Sequence, residues 1–380
     1  VGVGGDRRGG GGDDEIARIE DDEVVLGGRT GVLRVILRGD SVIDWHRLGM
    51  RDDADVDRFL RVNELSPTDE ADMERLEELR AQAVEYLRDH CRYRIADDVA
   101  SHAPARSLFL IASRSGPHQQ QACMTLKVMH IIHHLAGREL AFRLPVSGDE
   151  IFGLLERKFV RVVEEMRAAG HPVVEFDWSR KPRSSLITKL LAKRSTLAAN
   201  VYDKLRFRLV VRERADIVPL LLDITSRMVP FNYVVPGESI NDIVSLLDEV
   251  KNTGALSPFA AQLASGERQA EPARNETAEV ALNEFSGPSY RVINFVADVP
   301  IRIHRDAHGV SEPGSVGFGP VVFVLTEFQV IDAKTARDNE QGENSHVRYK
   351  LRQLARVKDR LAHGIGDGED GVPTTKKLGL

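Results

Sequence analysis

The spacing of apolar residues changes character along this chain. Val56, Phe59 and Leu60, then Leu76, Leu79, Val84 and Leu87, recur at three- and four-residue intervals among charged residues over 53–90, the period of amphipathic helices. Residues 107–112 and 123–135 continue that pattern. Residues 149–169 form a further amphipathic helix, entered through Ser147, whose hydroxyl suits an N-cap. Before them, residues 24–45 carry the short apolar runs VVL, VLRVIL and SVIDW, separated by GGRTG and RGD, which predicts hairpin-linked strands. The second half alternates. A helix near 184–193 is followed by the β-like run LRFRLVV at 205–211, a helix at 216–228, strands at 290–303 and 321–330, and a charged helix at 336–361. Helices alternating with strands, with one hairpin late in the chain, predict an α+β fold in which helices flank a mixed β-sheet.

At 380 residues with 42% hydrophobic content, the chain can bury a core in each of two domains. The expected division is a disordered Gly-rich tail at 1–20, a small β segment plus a mainly helical domain at 21–150, an α+β domain at 151–362 and a disordered tail at 363–380. Residues 250–288 are poor in order-promoting side chains and form part of an insertion over about 237–286. The first residue is Val, which suggests that a longer chain begins upstream. No apolar run approaches the roughly 18 residues of a membrane span, so a cytoplasmic protein with no membrane partner is expected. The two cysteines, Cys91 and Cys123, are too few for a disulfide framework and are expected to be reduced, buried thiols.

The net charge of −6 argues against a protein that coats nucleic acid without discrimination. Charge is unevenly placed, however. Residues 179–214 hold eleven Lys or Arg against two acids, Asp203 and Glu213, an excess that suits a polyphosphate or an RNA backbone. Within it, Asp203 stands just before a predicted strand and Arg208 five residues later. Far downstream, Glu327 and Gln329 share one face of another strand, because strand side chains alternate with period two. If the two strands are neighbours, two carboxylates converge. Paired acids that offer oxygen ligands to Mg²⁺, with basic groups around them, are the equipment for transfer from a nucleoside triphosphate. In the first half, His130, His133 and His134 fall on one helix face. No glutamate sits between them as in a HExxH site, so polar residues at a domain interface are expected there.

Taken in order, residues 176–362 resemble the synthetase domain of the RelA/SpoT family. The family's early basic motif is matched by Lys181, Ser185 and Lys189, and its Asp with an Arg five positions on by Asp203 and Arg208. Asn232-Tyr-Val-Val-Pro236 resembles its Tyr-containing run before a proline, and Ser289-Tyr290-Arg291 its base-stacking loop. Glu327-x-Gln329, Glu340-x-Gly342, His346 and Tyr349-Lys350 match its closing strand and helix. The resemblance implies a nucleotidyltransferase-like fold and Mg²⁺-dependent transfer of pyrophosphate from ATP to the 3′-hydroxyl of a guanine or other purine nucleotide. It assigns Asp203 and Glu327 to catalysis and metal binding, and Lys181, Arg183, Ser185, Lys189 and Arg208 to the ATP phosphates. Tyr290, Asn294, Gln329 and His346 would bind the acceptor.

The chain also departs from the family. Ser179 stands where the basic motif begins with Arg, with Arg180 and Arg183 beside it, Asn294 stands where a His is usual, and Ile331-Asp332 replace a basic residue. The first half lacks the His-Asp metal set of the family's hydrolase domain. Two further readings stay open: the same chemistry on an RNA or tRNA 3′ end, and a nucleotide- or partner-binding protein that no longer catalyses. The oligomeric state is not legible.

Overall fold

A computed structural model describes Ile36 and residues 48–192, 205–244, 285, 287, 289–303 and 319–362. The chain forms two compact units. The first comprises Val1–Arg180, Tyr202–Glu271 and Arg291–Ala336, and the second Lys181–Val201, Pro272–Tyr290 and Arg337–Leu380. Of the strands expected at 24–45 only Ile36 is described, and it is helical and buried. Residues 245–284, most of the expected insertion, lie outside the described residues, as do both tails.

The first unit opens with helices α1 (Asp53–Val62), α2 (Glu70–Asp89), α3 (Ser107–Ser113), α4 (Gln119–Arg143) and α5 (Gly148–Ala168). Asp52 and Asp69 cap α1 and α2 by accepting from Asp55 N and Asp72 N, which satisfies amides that a helix start leaves open. Ser147 and Glu150 form a full capping box on α5. The periodic residues of α1 and α2 do what their spacing predicts, because Val56, Leu60, Leu76, Leu79 and Leu87 join one buried core with Leu108, Leu126 and Met129. Cys123 is buried, whereas Cys91 is exposed, contrary to expectation. Among the described residues no helix is long and apolar enough to cross a membrane.

The sheet has five strands: β1 (Val173–Arg180), β2 (Leu205–Val211), β3 (Ile240–Asn241), β4 (Ile293–Arg302) and β5 (Val321–Asp332), in the order β1-β2-β5-β4-β3. β2 and β5 run parallel and the other pairs antiparallel. The sheet is therefore mixed, as the alternation of helices and strands predicts. Helix α7 (Ile217–Arg227) follows β2, and α6 (Arg183–Ala192) belongs to the second unit.

Strand periodicity separates the two faces. Phe207, Phe328 and Phe295 are in register on β2, β5 and β4, and Phe176 of β1 stacks on Phe207 with centroids 5.8 Å apart. Phe328 lies 5.1 Å from Phe295, and Phe159 of α5 sits 4.5 Å from Phe207. These spacings are in the favourable range for aromatic pairs, worth about 0.5–1.5 kcal/mol each beyond area burial. On the opposite face, α4 crosses the start of β5. Gly137 makes that approach possible, since a Cβ there would meet the Phe323 ring at 2.5 Å and Val321 O at 2.7 Å.

The second unit contains α6 (Arg183–Ala192) and α9 (His346–Ala362). Ala192, Phe285 and Val357 form its small core. Asn344 donates to Ser289 Oγ at 2.8 Å, Arg352 Nε to Phe285 O at 2.8 Å, and Arg360 to Leu191 O. Helix α8 (Ala333–Asn339) spans the boundary between the units. The single closing helix expected over 336–361 is thus two helices, divided by a 3-10 turn at Gly342–Asn344. Gly342 takes φ +57° there, a left-handed conformation that suits glycine.

Candidate active site

Beyond α4, the sheet face opposite the phenylalanines turns polar. Parallel pairing places Arg206 beside Glu327 and Arg208 beside Gln329. Antiparallel pairing places Asn294 beside Gln329 and Val296 beside Glu327. On the outer side, β1 sets Asp177 beside Arg208 and Ser179 beside Arg206. With strands about 4.8 Å apart, this is one continuous polar strip across four strands.

Glu327 is its centre. It is 7% exposed, and its Oε1 accepts from Asn294 Nδ2 at 2.9 Å and from Gln329 Nε2 at 3.1 Å. Its Oε2 is buried and has no hydrogen-bond partner among the described residues. A carboxylate with one oxygen clamped by two amides presents the other in a fixed direction. That oxygen can take a hard cation, which prefers oxygen ligands, or the proton of an attacking hydroxyl within hydrogen-bond reach. The donor present therefore suits Mg²⁺. Asp203, the other expected ligand, lies outside the described residues. Among the described residues no group of three or more His, Cys, Asp or Glu is placed to hold a metal ion.

The structure thus brings Arg208, Asn294, Glu327 and Gln329 together on one strip of the first unit. The other expected residues that are described belong to the second unit. There Lys181 precedes α6, Arg183 begins it, and Ser185 and Lys189 stand one turn apart along it. Tyr290 is half-buried and donates its backbone N–H to Gly287 O at 3.1 Å, and His346 stacks on Tyr349 with centroids 6.2 Å apart.

Three features of the site go beyond the elements and residues expected from the sequence. Strand β1 was missed, although its Phe176 and Trp178 alternate with Glu175, Asp177 and Ser179; that alternation is the signal. Arg206, one of the eleven basic residues of 179–214, is the in-register neighbour of Glu327. Arg180 does not replace the arginine missing at Ser179. It alternates with Ser179 and so lies on the phenylalanine side, where its Nε and Nη2 donate to Glu156 at 2.7 and 2.8 Å and its Nη1 to Asp149 at 3.2 Å. Hydrogen bonding to Glu156 raises its pKa above the ordinary arginine value.

The three histidines of α4 are held within the first unit. His134 Nε2 lies 2.6 Å from Asp298 Oδ2, to which Arg138 Nη1 also donates at 3.1 Å. Burial pushes His130 down to about 4 and His133 down to about 3, so both rings are neutral near neutrality. Burial raises the Tyr233 hydroxyl well above its usual range.

No family model matches the chain, and no curated protein matches it. Its structural neighbours are small alarmone synthetases and GTP pyrophosphokinase family proteins. Small alarmone synthetase 1 from Bacillus subtilis is 13% identical with a TM-score of 0.28, covering 55% of this chain and 85% of that one. The same protein bound to its product pppGpp gives 13% identity and a TM-score of 0.30, with the same coverage. A GTP pyrophosphokinase family protein from Streptococcus pneumoniae gives 12% and 0.27, covering 56% of this chain and 83% of that one. At these scores the functional reading rests on the site itself.

Proposed function

We propose that this protein transfers pyrophosphate from ATP to the 3′-hydroxyl of a nucleotide, with guanine nucleotides as the first acceptors to test. The observation that carries the reading is the clamped, buried carboxylate of Glu327 beside Arg206 and Arg208. In the reaction, the acceptor 3′-oxygen attacks the β-phosphorus of ATP, the bond from that phosphorus to the α–β bridging oxygen breaks, and AMP leaves. Glu327 Oε2 receives the proton of the hydroxyl. Arg208, with Lys181, Arg183, Ser185 and Lys189, would neutralise or hydrogen-bond the phosphates, the main contribution a protein makes to phosphoryl-type transfer. Mg²⁺, held by Glu327 and Asp203, would offset the charge that develops on the phosphate oxygens. Tyr290 would stack on the acceptor base, with Gln329 and His346 as its polar contacts. Asn294 was expected to touch the acceptor; its bond to Glu327 favours a role in holding the base.

The basic stretch at 179–214 favours a second acceptor class, the 3′ end of an RNA. Incubation with γ-labelled ATP, Mg²⁺ and each of GDP, GTP, ADP, ATP and bulk tRNA separates the two, since label should move to a mononucleotide on the first reading and to tRNA on the second. Glu327→Gln, which removes the charge and keeps the shape, should abolish transfer while leaving the unfolding midpoint in place. Absence of label on every acceptor, with ATP bound, would leave a nucleotide-binding protein and defeat both readings.

A further inference from the structure

Away from the carboxylate strip, the helical part of the first unit has a cavity of about 50 Å³ among α1, α2, α3, α4 and the turn Phe231–Tyr233. Most of its wall is apolar, including Phe59, Leu76, Phe109 and Leu126, but it also carries His133 and Asn232, with Asn63, His130 and Tyr233. His133 is 5% exposed and Asn232 4%. Neither ring nitrogen of His133 has a hydrogen-bond partner among the described residues, nor does Asn232 Oδ1. The amide of Asn232 is oriented by its other end, because Nδ2 donates to Asn63 Oδ1 at 3.0 Å and lies 3.3 Å from His130 Nδ1.

A buried polar group left without a partner is costly, so unpaired groups in the wall of an apolar cavity call for a ligand. A neutral imidazole offers one N–H donor and one acceptor, and the amide oxygen adds a second acceptor. A hydroxyl, which both donates and accepts, complements this set; an ion does not, since no charged side chain lines the cavity. On this measure one water needs roughly 10–15 Å³, which leaves room for about three to five heavy atoms. Water alone would satisfy the polar groups and waste the apolar wall. We propose that this cavity is a binding site for a small neutral alcohol whose hydroxyl bonds His133 and Asn232 and whose short alkyl chain fills the apolar part.

The position suits an effector rather than a substrate. The turn that carries Asn232 continues into Val234, bridged to Ala297 of β4, and Val235, whose N–H donates to Val296 O at 2.8 Å. Val296 is the in-register neighbour of Glu327.

The test is a titration of full chain labelled at histidine and asparagine with ethanol, 1-propanol and 1-hexanol, following the His133 ring and Asn232 amide resonances by NMR. Saturable shifts with ethanol and 1-propanol, at least tenfold weaker with 1-hexanol, are expected. His133→Leu should abolish saturation and His133→Gln, which keeps a donor and an acceptor, should restore it in part, read on the Asn232 side-chain amide. Leu126→Phe, which reduces the apolar part and leaves His133 in place, should weaken 1-propanol more than ethanol and guards against a folding defect in the histidine variants. Linear, unsaturable responses identical in the parent and in Leu126→Phe would mean that water alone occupies the site and would overturn the proposal. None of these readouts depends on the transfer reaction.

Discussion

The clamp on Glu327 separates stability from activity at a single residue, Asn294. Replacing Asn294 with Leu, similar in size, deletes the 2.9 Å bond to Glu327 Oε1. A hydrogen bond to a charged acceptor contributes about 1.5–3 kcal/mol. The same substitution also removes Asn294 Oδ1, a buried oxygen with no partner among the described residues, and thereby relieves a penalty of about 1–3 kcal/mol. The two effects are of similar size and opposite sign. Unfolding free energy by urea should therefore change by less than about 1 kcal/mol. Transfer should respond differently. With one donor gone, Oε1 keeps only Gln329 at 3.1 Å, the carboxylate can rotate, and Oε2 loses its fixed direction. Misplacing a catalytic group by about 1 Å can cost on the order of 100-fold, so kcat should fall by about 10- to 100-fold with little change in KM for ATP. Gln329→Leu should act in the same direction, and the double variant should lose less than the product of the two, because both amides orient one group. Label transfer under saturating substrates and a urea titration on the same preparations supply both numbers. Unchanged kcat in Asn294→Leu, or a loss of stability above about 3 kcal/mol with kcat intact, would refute the clamp.

Tyr290→Ala should weaken acceptor binding by about 1–3 kcal/mol, the range for stacking on a base, while ATP affinity and the melting curve stay in place; loss of stability by about 3–5 kcal/mol with unchanged acceptor affinity would mark a buried aromatic instead. Gly137→Val should destabilise the chain by about 1–3 kcal/mol through overpacking against Phe323 and the Val321 carbonyl, visible as a lower midpoint in urea. The folded chain holds His130 and His133 at about 4 and about 3, below the usual 6.5, so below pH 6.5 the unfolded chain binds more protons than the folded one. Stability should be fully present above about pH 6.5 and decline as pH falls toward 4 and then 3. A pH series of melting curves checks this, and a curve flat between pH 7 and 4 would contradict the neutral, buried rings.

The pairing of Glu327 with Gln329 was legible because it needs only the period of one strand. The placement of β2 beside β5 is absent from the pattern, since nothing local specifies which strands pair. Asn294 shows the limit more clearly. Its parity within β4 puts it on the polar face, but its partner is set by the register between β4 and β5, a long-range property that no window of sequence contains. The direction of Arg180 depends on β1, because only within a strand do Ser179 and Arg180 face opposite ways. The break at Gly342–Asn344 escaped notice because the charged residues on either side keep a helical rhythm that one glycine does not disturb. The strands at 24–45, most of the insertion and Asp203 lie outside the described residues.

The row of phenylalanines has a consequence for how this chain can change. Phe176, Phe207, Phe328 and Phe295 fasten four strands from behind, so the strands are held on the side away from the polar strip. Substitutions there alter which molecule is met without loosening the support. Ser179 and Asn294 both stand on that polar side, so an exchange at either position leaves the phenylalanine row untouched.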